Sequence, residues 1–157
     1  MFIEKTNTQN WVPLFARLAV FLSIFPHGAQ KLFGWFGGAG FSATMEGLSK
    51  GAGLPLFIVF LVILIESVAT LFVLLGFLTR ISAAAIFINF LGVVFTVTIH
   101  SGYFMNWKGE AGKGEGLEFF ILLFALLIIL LIRGGGKFSL DGFLFNKPNR
   151  TVGKLRG

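Results

Sequence analysis

His27, Lys31, His100 and Glu118 are the side chains in this sequence best equipped to hold a carbonyl oxygen and move a proton. Two imidazoles, an ammonium and a carboxylate meeting in an apolar setting suit a quinone headgroup, because each ring carbonyl needs a donor and each reduction step needs protons. His27, His100 or Lys31 would donate, and Glu118 or Glu66 would supply protons. Aromatic walls would hold the ring, and the lipid side would admit an isoprenoid tail.

Two rival chemistries use the same residues. His27 and His100 are the only histidines, and as a pair from separate apolar runs they would suffice to ligate a haem b, although nothing in the sequence prepares for its propionates. His27, His100 and Glu118 together resemble a two-histidine, one-carboxylate metal site, but three residues from three runs form no local ligand motif, so no metal is assigned. The chain has no cysteine, which excludes disulfides, iron–sulfur clusters and thiol relays of its own; any redox role needs another group.

The elements that must position these residues are membrane spans. With 157 residues, 55% hydrophobic, 21 phenylalanines, 13% charged and a mean hydropathy of +0.86, the chain is too apolar for a water-soluble domain of this length. Four runs, about 11–32, 54–78, 81–100 and 117–132, approach the ~20 residues that cross hydrocarbon. The expected fold is all-α: one membrane domain over residues 1–157, a four-helix bundle with a basic cytoplasmic tail at 133–157. No A-x-A-like cleavage pattern follows the first run, which is therefore expected to be a retained anchor.

Basic residues set the orientation. Lys5, Arg80, Arg133, Lys137, Lys147, Arg150, Lys154 and Arg156 fall on one side, against Lys31, Lys50, Lys108 and Lys113 on the other, so both termini are expected in the cytoplasm of a cell whose inner membrane holds the protein. The net charge of +6 reads as a topology and lipid-headgroup signal. No aromatic-basic platform accompanies it, and no nucleic-acid partner is expected. In the connections, 41–48 is expected as a short amphipathic surface helix, and Trp11, Trp35 and Trp107 as interfacial anchors.

An ionisable group in hydrocarbon costs about 2.5–3.5 kcal/mol on insertion scales, so those present should face the bundle interior with partners. At about 100° per residue, Lys31 lies about 40° and His27 about 80° from Arg17, forming one stripe flanked by Gln30. Pro26 deprives the Leu22 carbonyl of its donor beside this stripe. Asn89, Thr96 and His100 fall within about 40° of one another on the third run, a second stripe able to face the first. By depth, His27, Lys31, His100 and Glu118 belong to the outer third, and Glu66 to the middle of its span. There are plainer readings: Lys31 snorkels to the headgroups, Arg17 and Glu66 form a structural ion pair or take backbone partners, and His100 and Glu118 are interfacial anchors.

The segment RLAVFLSIFPHGAQKLFGWFGGAGFSATMEGL, followed by LIESVATLFVLLGFLTR, TVTIHSGYFMNW and the late Glu118, resembles the DoxX family of small four-helix membrane proteins over roughly residues 17–144. The resemblance implies an inner-membrane protein whose relatives include quinone-linked oxidoreductase subunits. Arg17, His27, Lys31, Glu66, His100, Asn106 and Glu118 match polar positions of that pattern. The expected function is thus a membrane subunit of a quinone-linked oxidoreductase. His27, Lys31, His100 and Glu118 line its pocket, Arg17 and Glu66 act as buried support or a proton path, and Asn106 and Trp107 close the mouth. A soluble or membrane oxidoreductase partner and self-association both fit this expectation. The alternative is a non-catalytic anchor or scaffold for a soluble redox partner.

Overall fold

The structure is a computed structural model and describes residues 6–109 and 116–146. The N-terminal Lys5, Lys113 with most of its Gly/Lys/Glu stretch, and the basic tail from residue 147 onward lie outside the described residues. Among the described residues the regular structure is entirely helical. Helix α1 is Val12–Phe33, α2 Gly40–Gly51, α3 Leu56–Leu75, α4 Thr79–Thr96, α5 Leu117–Arg133 and α6 Leu140–Phe145. By length and composition α1, α3 and α4 can each cross a membrane; α5, with 17 residues, is slightly shorter.

The apolar runs become helices whose ends are written in proline and glycine. Pro13 opens α1, where a missing N–H costs nothing, and Gly34 closes it in the left-handed region at φ 74°. Pro55 precedes α3, and Gly76 closes that helix at φ 66°. Pro26 lies inside α1, and the helix continues through it.

α1 packs against α3 and α5, and α4 packs against α3 and α5, so the four long helices form a ring. The core sits inside it. Ala16, Val20 and Ile24 of α1, Val73 of α3, Ala83, Ile86 and Phe90 of α4, and Phe120, Leu123, Leu127 and Leu130 of α5 recur at helical spacing and are buried. Most other large apolar side chains point outward, as they must where the surrounding medium is itself apolar.

The third span, α4, departs from its expected bounds of 81–100. It starts two residues earlier because Asp141, from the far end of the chain, accepts the backbone N–H groups of Leu78 (2.7 Å) and Thr79 (2.9 Å) and the Thr79 hydroxyl (2.6 Å). It ends at Thr96, where Val97 leaves helical geometry within a β-branched run, and His100 falls in a separate single turn, Thr98–His100. The second helix is likewise shorter than 54–78, bounded by Pro55 and Gly76.

After α5 the chain turns back at Gly134–Gly136 and forms a foot. Arg17, only 1% exposed, donates from Nη2 to the carbonyls of Lys137 (3.1 Å) and Phe138 (3.2 Å). Its Nη1 lies against Gly76, where a Cβ would collide with it. The Asp141 N–H donates to the Gly76 carbonyl at 2.8 Å, completing the joint. Phe138, Phe143 and Leu144 face outward from this foot.

Asp141→Ala removes three charge-assisted bonds at the start of α4 and is expected to destabilise the fold by about 2–3 kcal/mol. Gly76→Ala adds both strain at positive φ and a clash with Arg17, and is expected to cost more. Thermal unfolding in mild detergent measures both, with Asp141→Asn falling between Asp141→Ala and the native chain.

Candidate functional site

Glu66, at the middle of α3, organises a second polar contact. It is 3% exposed and lies in a widened turn of α3, Ile65–Ala69, where the helix passes into π geometry. Such turns leave carbonyls out of register, and two hydroxyls answer them. Ser67 Oγ donates to the Ile63 carbonyl at 2.5 Å, and Thr70 Oγ1 reaches the carbonyls of Glu66 at 2.6 Å and Ser67 at 2.9 Å. Gly28 of α1 packs directly on this turn, and any Cβ there would collide with the Glu66 carbonyl. The absence of a side chain at Gly28 thus sets how closely α1 approaches α3.

That approach brings Lys31 to Glu66, with Nζ 2.5 Å from Oε2. On the other side, Asn89 Nδ2 of α4 donates to Glu66 Oε1 at 3.4 Å. Three helices therefore converge on one carboxylate. Lys31 does not snorkel outward: its side chain is 25% exposed and turned inward. Arg17 does not pair with Glu66; it takes the backbone carbonyls of the foot at the opposite end of α1.

Above Glu66 lies a cavity of about 670 Å³, a size suited to small-molecule ligands. His27, Lys31 and Glu66 form a polar side. Val62 and Val93, with Phe90, Phe119 and Phe120, form the apolar walls, and Leu48, Leu54 and Met105 contribute from α2 and the connections. Thr96 adds a hydroxyl already engaged with the Gly92 carbonyl at 2.8 Å.

The structure brings together part of the sequence-predicted set. His27, Lys31 and Glu66 share the cavity; His100 and Glu118 do not line it. His100 is carried off the third span by the early end of α4 and is exposed. Glu118 instead accepts the Met105 N–H at 2.8 Å, while its own N–H donates to the Tyr103 carbonyl, so it pins the connection that delivers Met105 to the cavity. Asn106 and Trp107 do not close the mouth: neither lines the cavity, and Trp107 is 81% exposed. Gln30 shapes the turn after α1 by donating to the Phe36 carbonyl at 3.3 Å. No group of three metal-ligating side chains occurs among the described residues.

Asn89 and Gly28 complete the site without belonging to the predicted set. Asn89 has a sequence signal, a polar residue at helical spacing from Thr96 in an apolar run. Gly28 has none apart from its place beside His27.

The DoxX family model matches residues 12–99, more than half of the chain. The chain belongs to the DoxX family. The match takes in α1 to α4 and with them His27, Lys31, Glu66 and Asn89, while Glu118 and the foot lie beyond it. No curated protein and no solved structure matches the chain. Family membership and the long apolar helices together identify a membrane protein.

Lys31→Met leaves the Glu66 carboxylate buried without its cation. The expected loss is about 3 kcal/mol, the low end for breaking a buried pair because Lys31 is partly solvated. Combining Lys31→Met with Glu66→Gln removes both charges and is expected to restore most of the stability, as read by thermal unfolding in detergent.

Proposed function

We propose that the protein is a multi-pass subunit of a quinone-linked oxidoreductase in the cell inner membrane, holding a quinone or a similar small molecule in the cavity above Glu66. In this reading α1, α3, α4 and α5 are four spans. The foot and both termini face the cytoplasm, and the cavity opens toward the outer leaflet. Arg80, Arg133 and Lys137 at the foot end, with the basic tail beyond, support that orientation against Lys31, Lys50 and Lys108 at the α2 end.

The observation that carries the reading is the cavity's divided character. One side offers the Lys31 ammonium, the Glu66 carboxylate and the His27 imidazole; the rest is aromatic and aliphatic. Lys31 and Glu66 sum to no net charge, which favours an uncharged headgroup with oxygens to bind over an ion. Lys31 and His27 orient those oxygens, Glu66 holds Lys31 in place, and Phe90, Phe119 and Phe120 exclude water from the ring. A bound quinone supplies the redox chemistry. The chain has no cysteine for an iron–sulfur or thiol relay of its own, and in this reading electrons come from a partner oxidoreductase subunit.

Gentle purification followed by solvent extraction and mass spectrometry tests this. A lipid quinone recovered in near-equal amount to the protein is expected, with clearly less from His27→Ala. Repeated recovery of ordinary phospholipid alone would overturn the proposal.

A further inference from the structure

Lys31 belongs to two hollows at once. Besides the cavity, it lines a groove of about 390 Å³ between the end of α1 and α2, together with Gln30, Ala43, Thr44, Gly47 and Leu48, the last of which also borders the cavity. The groove has room for several waters, and the Gln30 amide and Thr44 hydroxyl give them polar surface. Ala39, Ala43 and Gly47 keep it from filling with side chain. Glu66 lines the cavity and not the groove; Lys31 and Leu48 line both, and of these Lys31 is the ionisable one with a long mobile stem.

We propose that Lys31 closes a second, polar entrance to the cavity, through which water and the protons it carries reach Glu66 from the groove beneath α2. In this arrangement Nζ on Glu66 stands between the two hollows. The lysine stem has several rotatable bonds, and its side chain is 25% exposed rather than fully packed in. Swinging Nζ into the groove places it beside the Gln30 and Thr44 side chains and opens the way to the carboxylate. An apolar ligand and its protons would then arrive by different routes. The inference stands on the shared wall, whatever molecule occupies the cavity.

The native chain has no cysteine, so a single Val93→Cys reports on the cavity without background. The protein is placed in lipid nanodiscs, and the labelling rate by a charged methanethiosulfonate reagent is measured. On the Val93→Cys background, Lys31→Ala combined with Glu66→Gln is expected to label several times faster than Glu66→Gln alone. Adding Gly47→Phe, which fills the groove from a position with open space around it, is expected to return the slow rate. Equal rates with and without Lys31, or fast labelling that survives Gly47→Phe, would overturn the proposal. Thermal unfolding checks that each variant is folded, and Lys31→Ser with Glu66→Gln replaces the alanine variant should that one fail to fold. Loss of the quinone reading leaves this labelling result unaffected, and the converse also holds.

Discussion

A carboxylate taken out of water must be met by donors, and in this protein the donors for Glu66 come from two other helices. Lys31 arrives from α1 and Asn89 from α4, so the charge ties three of the four long helices together at one level. A buried pair is weak as a source of net stability, because desolvation offsets most of the attraction. Its effect is on geometry: sliding α1 along α3 would separate Lys31 from Glu66 and strand both charges. The π turn and Gly28 serve the same end, one turning Glu66 inward and the other letting the backbones close. The cavity exists where it does because this polar contact holds the helices while the aromatic residues around it leave space.

The foot end answers the same constraint with different partners. Arg17 is buried one turn into α1, and its guanidinium takes carbonyls that the glycine turn after α5 leaves without helical donors. Asp141 does the complementary job for the N–H groups that open α4. A cation meets chain carbonyls and an anion meets chain amides, with Gly76 giving room to both. The foot and the middle of the bundle are thus fastened by separate charges, and the apolar core needs only to fill space.

Much of this was readable in advance. The helices follow from long apolar runs punctuated by Pro13, Gly34, Pro55, Gly76 and Gly134, since these residues act on the backbone locally. The family was legible in the stretch around His27 and Lys31. Half of the site was legible too: polar residues inside apolar runs, placed by helical angle, pointed to His27, Lys31 and Glu66. The same arithmetic failed at His100, because it assumed one uninterrupted helix and α4 stops at Thr96. It also misplaced Glu118, whose carboxylate satisfies a nearby amide of the preceding connection instead of a pocket.

Sequence by itself determined the class of element and its medium, because hydrophobic periodicity and helix-ending residues are properties of neighbours along the chain. It determined that Arg17, Lys31 and Glu66 each required a partner, because hydrocarbon does not solvate charge. Which partner each found was decided only by the tertiary structure. Lys31 and Glu66 are joined by the close packing that Gly28 permits, while Arg17 takes carbonyls of a foot that returns from the far end of the chain, and Asp141 of that foot takes the amides that open α4. Pairings of that kind depend on the relative register of helices, and register is a property of packed surfaces that no single helix contains.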